Sequence, residues 1–169
     1  ITTGNLILGS TRASLTGSLT NNGAYIDDNS TGGIVLEGSA QQQISGTGSF
    51  GRLVLNNSSG AKIMNDIIIQ NNLVLTSGVL DIGSFLLTLG HGSSIEGAPF
   101  NIGRMIKSDG VASSRGILKY FSASPQSFTF PSGVSGKYTP AVFVITSSAA
   151  VGSVRVNPVD DFHPNVTDQ

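Results

Sequence analysis

Residues 44–82 read ISGTGSFGRLVLNNSSGAKIMNDIIIQNNLVLTSGVLDI. Ile44, Ile63 and Ile82 stand 19 residues apart in this stretch, and Leu36, Leu55 and Leu75, offset by about half a turn, keep nearly the same step. Working outward, the first series continues to Leu8 and Ile26 on one side and Ile102 on the other, and the second continues to Ile95. Between the repeated positions lie short apolar runs bounded by Gly, Asn and Ser, too short for anything but strands. Hairpin turns impose no shared period. A coil that closes once every ~19 residues does, because equivalent residues then stack about 4.8 Å apart on parallel strands and point into one core. The spacing therefore predicts a short right-handed parallel β-helix of about five coils over residues 1–103, about 24 Å long, with Ile44, Ile63 and Ile82 stacked inward. An antiparallel sandwich with Gly-rich turns is the alternative.

Polar residues fit the corners of such a coil. Asn21-Asn22-Gly23, Asn29, Asn56-Asn57 and Asn71-Asn72 fall between apolar runs, where Asn tolerates left-handed backbone and bonds its neighbours. After about Gly103 the period stops, prolines appear from Pro125 to Pro164, and alternation replaces flat apolar runs in Ser127-Phe128-Thr129-Phe130 and Ser153-Val154-Arg155-Val156. A boundary near residues 104–108 is expected. Segments 116–121, 126–130, 141–146 and 151–157 then read as strands of an incomplete antiparallel β-sandwich-like module over residues 104–169.

Composition narrows the function classes. The 169 residues carry a formal net charge of −1 and only 11% charged residues, so neither a basic nucleic-acid surface nor an acidic tail exists. Without Cys there is no disulfide framework and no thiolate zinc site. The longest apolar runs fall far short of a membrane-spanning helix.

With both halves laid out, a resemblance emerges. Phe50 to Gly60, with Ile67-Ile68-Ile69-Gln70-Asn71-Asn72-Leu73-Val74-Leu75 and Phe85-Leu86-Leu87-Thr88-Leu89-Gly90, resembles the repeats of large Bacteroidetes surface proteins exported by the type IX secretion system. Phe128-Thr129-Phe130-Pro131, Lys137-Tyr138-Thr139-Pro140 and His163-Pro164-Asn165 are similar to the β-sandwich module that often follows a β-helix in that group. The resemblance implies an extracellular, cell-attached protein of adhesin or gliding-associated type. Its implied partners are secretion or outer-membrane machinery, other surface proteins and glycans, with no nucleic acid and no membrane insertion.

Chemistry is sparse. A polysaccharide lyase or hydrolase would need clustered carboxylates on one face. Asp27, Asp28, Glu37, Asp66, Asp81, Glu96 and Asp109 form no ladder at the coil period, and adjacent Asp27 and Asp28 point to opposite faces of a strand. His91 and His163 lack a second ligand at metal spacing and read as exposed loop residues. Gly46-Thr47-Gly48-Ser49-Phe50-Gly51 matches the dinucleotide fingerprint by letter, but no helix follows it, so it reads as a corner. Asp160-Asp161 with Asp168 reads as a solvated loop, with a calcium site as the alternative. Asn29, Asn56, Asn57 and Asn165 satisfy the N-glycosylation pattern, which here reflects Asn and Ser at turns. Phe128 and Phe130 share a face, read as core rather than a sugar-stacking platform.

The sequence therefore nominates no catalytic, cofactor-binding or metal residue. The expected function is a non-enzymatic structural and adhesive segment of a large secreted surface protein. The alternative is a carbohydrate-binding or polysaccharide-active β-helix whose site lies outside this stretch. Unpaired strand rows at both tips lead to the further expectation that more coils precede Ile1 and more strands follow Gln169.

Overall fold

The computed structural model describes residues 4–26 and 31–161. Short β-branched runs separated by Gly and Asn give strands throughout, and among the described residues there is no helix. The first coil holds β1 (Asn5–Ile7), β2 (Arg12–Leu15) and β3 (Leu19–Thr20), and the second β4 (Ala24–Ile26), β5 (Gly33–Leu36) and β6 (Gln42–Ser45). Two strands suffice for each of the next coils, β7 (Ser49–Asn56) with β8 (Ala61–Ile63), then β9 (Ile67–Ser77) with β10 (Leu80–Gly83). The fifth has β11 (Leu86–Leu89), β12 (Ser94–Glu96) and β13 (Ile106–Ser108). Then come β14 (Gly116–Phe121), β15 (Gln126–Phe130), β16 (Ser132–Val134), β17 (Lys137–Tyr138), β18 (Ala141–Ile145) and β19 (Gly152–Val156).

Pairing from coil to coil is parallel, which makes the fold a β-solenoid of about five turns. Three faces surround one core. On the first face Leu19, Ile44 and Ile63 stand in register and Ile82 continues the row; Ile44, Ile63 and Ile82 are fully buried, as the 19-residue step predicts. On the second, Phe50, Ile69, Leu89 and Lys119 are paired successively, with Ile67, Leu87 and Ile117 beside them. On the third, Leu15, Leu36, Leu55 and Leu75 form one row and Ala13, Ile34, Leu53, Leu73 and Ile95 the other. Burying each Leu or Ile contributes about 1.5–3 kcal/mol.

Four ladder positions differ from the expectation. Ile95 stacks on Leu73 rather than Leu75. Ile102 is 51% exposed, because residues 98–104 leave the coil and the chain rejoins it with Ile106 inward over Leu80. Ile44 stacks on Leu19, 25 residues earlier, while Ile26 is paired with Ile7 on the second face, so neither Ile26 nor Leu8 belongs to the row of Ile44. Coil length varies wherever a corner carries a loop; only the stretch from β6 to β10 keeps the strict step.

The expected boundary also changes character. Both long sheets run through residues 104–108: β13 pairs parallel with β10 and β16 with β13, while β14 pairs parallel with β11. The segments expected to make a separate sandwich instead finish the solenoid. β19 adds antiparallel to β14, β17 to β16, and β15 and β18 form an antiparallel ribbon. Phe128 and Phe130 turn inward as expected of core residues, 4.9 Å apart between ring centroids, with Phe121 edge to face on Phe128 at 6.0 Å and Phe143 on Phe130 at 5.7 Å, but the core they join is that of the solenoid.

Corners are cemented by buried amides. Asn57 donates to Ala40 O at 2.8 Å and to Gln42 Oε1 at 3.0 Å, while Gln42 donates to Leu15 O at 3.0 Å and accepts from the Gly38 N–H at 2.9 Å. Asn21 donates to Ser49 O and accepts from the Gly23 N–H. Asn71 and Asn72 depart from the expectation of a loop between strands: they lie inside β9, at the point where its pairing passes from β11 to β12.

Gly78 illustrates why some corners admit no side chain. Its φ is +90°, and a Cβ there would lie 1.9 Å from Asn57 O. Gly78→Ala is expected to cost about 2 kcal/mol or more from left-handed strain plus backbone displacement, read as a lower urea midpoint with unchanged slope.

Candidate functional site

Strand alternation decides which side chains face solvent. On the third face the outward rows are Arg12, Gly33, Arg52, Asn72, Ser94 and Ser14, Val35, Val54, Val74, Glu96. Val35 and Val54 point outward yet are only 3% and 8% exposed. Two ion pairs cross this face: Arg12 pairs with Glu37, and Arg52 lies 3.7 Å from Glu96 while donating to Gly32 O at 2.8 Å.

The other carboxylates are used similarly. Asp81 meets Lys107 at 2.8 Å on the outer first face, Asp66 meets Arg115, and Lys137 meets Asp160 at 2.5 Å. Asp109 accepts from Ser114 Oγ and from the Val111 N–H at 3.2 Å. Glu37 and Glu96 thus lie on the third face and Asp66 and Asp81 elsewhere, each against a cation from another coil. No three His, Cys, Asp or Glu side chains gather as a metal site among the described residues. Asp27, Asp28, Asn29, His163, Asn165 and the Asp168 of the suggested calcium loop lie outside the described residues.

His91 is exposed and tilted against Tyr120, with 5.4 Å between ring centroids. Gly46 to Gly51 forms the corner between β6 and β7 and runs into β7, followed by a strand and no helix. A Cβ on Gly46 or Gly48 would meet the carbonyl oxygens of Asn21 and Gly23 at 2.2 and 2.1 Å. Its glycines serve backbone contact between coils, not a phosphate.

The same corner in successive coils leaves an open groove of about 680 Å3. Thr47 and Gly48 form one end, Asn65 and Asp66 the next level, Ser84 and Phe85 the next, and Arg115 the far end, with Ile68 on the wall. Asp66 is held twice, its Oδ1 accepting the Leu86 N–H at 2.9 Å and its Oδ2 meeting the Arg115 guanidinium. Arg115 is anchored by its own N–H to Ser84 O at 3.2 Å. Asn65 is spent on structure, accepting from the Gly46 N–H at 2.8 Å and donating to Gly46 O and Asp66 O. Sequence reading missed this site because Thr47 and Arg115 meet only through coils of unequal length. The signal available was weak: polar corner residues beside the one Phe of the Ile82 to Leu89 stretch.

A smaller groove of about 260 Å3 lies beside Asp81 and Lys107. No helix among the described residues is long and apolar enough to cross a membrane. No family model matches the chain, and neither the curated proteins nor the solved structures contain a significant match. The class defined by fold and surface is a parallel β-solenoid with ionic straps across its faces.

Proposed function

We propose that this chain is a structural and adhesive segment of a large secreted bacterial surface protein, exported through a type IX system and working by display and spacing rather than by catalysis. The single observation carrying this reading is the unbroken stack. Each coil shares its core and its hydrogen-bond ladder with the next, and charges are spent on straps between coils, so length can be added without redesigning any unit. Such a rod holds a distal surface at a fixed distance from its anchor. The resemblance of residues 50–90 to Bacteroidetes surface repeats supports the setting, with a gliding-associated or adhesin parent and glycans or neighbouring surface proteins as contacts. In the same reading, the strands after residue 104 serve as the counterpart of the β-sandwich module of that group.

The test is surface shaving. Protease added to intact cells of the source bacterium is expected to remove the segment, and inactivation of the type IX machinery to retain it inside. Persistence in the cytosol of untreated wild-type cells overturns the reading.

A further inference from the structure

We infer that the corner groove between Thr47 and Arg115 binds a neutral, hydroxyl-rich sugar. The argument stands on the groove itself and does not depend on the display role. Its volume, about 680 Å3, lies in the range of small-ligand sites. Its charge sums to zero, with one carboxylate and one guanidinium, so neither an anion nor a cation gains a net Coulomb reward there. Those two groups are side by side and partly exposed, with 40% of the Asp66 and 54% of the Arg115 side chain accessible. A fixed acceptor beside a fixed donor is the complement of two adjacent hydroxyls, each of which both donates and accepts. Preorganisation is already in place, because Asp66 is held by the Leu86 N–H and the Arg115 guanidinium is held against Asp66 Oδ2, so less side-chain entropy is lost on binding.

The apolar wall completes the match. Phe85 packs against the core on one side and lines the groove on the other, and Ile68 is 39% exposed on the same wall. A pyranose ring has an apolar C–H face and a hydroxyl rim, and aromatic faces attract C–H edges. Thr47 and Ser84 are exposed at the groove and add hydroxyls at two further levels. A peptide would need backbone partners that the satisfied Asn65 amide and the closed strand ladders do not offer.

The test is saturation-transfer NMR on the full 169-residue chain with four neutral probe series, gluco-, xylo-, manno- and galacto-oligosaccharides. Matching uronate oligosaccharides and a basic peptide form the comparison arms. Saturable binding of at least one neutral series at millimolar or lower Kd is expected, weakened about tenfold or more by Arg115→Gln and by Asp66→Asn. Asp66→Asn retains the acceptor for Leu86 N–H and Arg115 is exposed, so both variants should keep the parent's thermal midpoint, which is measured alongside. Preference for the uronates or the peptide, absence of saturable binding by every neutral series, or binding unchanged in both folded variants overturns the assignment. None of these results bears on where the chain is displayed, which surface shaving decides separately.

Discussion

Ile63→Asp is expected to unfold the chain or to lower its unfolding free energy by about 5 kcal/mol, the sum of lost burial and of placing a carboxylate in an apolar interior. Ile63 is fully buried, with Ile44 in register beneath it and Ile82 in the continuing row above, so the new charge would have apolar neighbours on both sides along the axis. No described cation reaches that interior row: Lys62, the adjacent residue, alternates to the outer face with Gln43 and Asp81. Relaxation is also blocked, since a shift of one coil breaks two parallel ladders at once. Circular dichroism in urea reads the effect as a midpoint collapsed toward zero denaturant. A control at the same period, Ile102→Asp, should change the unfolding free energy by no more than about 0.5 kcal/mol, because Ile102 is on the surface. Equal effects at the two sites would contradict the stacking.

That pair of residues also shows what the sequence made legible. Periodicity finds a coil only where corners have equal length. Between β6 and β10 they do, and Ile44, Ile63 and Ile82 were readable directly from their spacing. Residues 98–104 insert a surface excursion, so Ile102 is exposed and the ladder resumes with Ile106 stacked on Leu80 rather than on Ile82. Near the N-terminus the 25-residue step from Leu19 to Ile44 hides behind an accidental 18-residue step from Ile26, which belongs to another face. Apolar residues on the second and third faces look alike in sequence; only pairing separates Phe50, Ile69 and Leu89 from Leu55 and Leu75.

The last third differs from the expectation for another reason. Pro and alternation after Gly103 are real signals of antiparallel pairing, and β15, β18 and β19 are antiparallel. What alternation cannot reveal is whether such strands build their own core or close an existing one. Here Phe121, Phe130 and Ile117 belong to the cluster that also holds Leu87 and Leu89. The strands therefore cover the end of the solenoid's core. The groove was illegible for the same geometric reason as Ile106, since Arg115 reaches Asp66 only after two coils of unequal length.

Lys119 is where the closing of the core has its largest electrostatic consequence. It occupies the inward position that Phe50, Ile69 and Leu89 fill in earlier coils, and it is 1% exposed. Its Nζ donates to Gly90 O at 2.6 Å, His91 O at 3.0 Å and Ser93 Oγ at 3.0 Å, and sits 5.2 Å from the Phe128 ring centroid and 5.7 Å from that of Phe121. The lysine thus ties down the turn of residues 90–93, whose Gly90 O also accepts from the Ser93 N–H at 3.1 Å and from Ser93 Oγ at 2.7 Å. Lys119→Ala is expected to cost about 3 kcal/mol at pH 7, from a cavity plus the loss of the ammonium's hydrogen bonds. Burial also pushes the ammonium down from 10.5 to about 8. The folded state then releases its proton first, the unfolded state binds more protons between about pH 8 and 10.5, and stability rises with pH across that window. The Tyr138 phenol, raised by burial, acts in the opposite sense above about pH 10, so the clean interval is pH 8 to 10. Urea unfolding there should show the free energy climbing by roughly 1 kcal/mol per pH unit in the parent chain. Lys119→Met fills the same volume without a titrating group and should flatten the slope. A parent profile that is flat from pH 8 to 10 would mean that the three acceptors and two rings fully compensate the ammonium for its lost water.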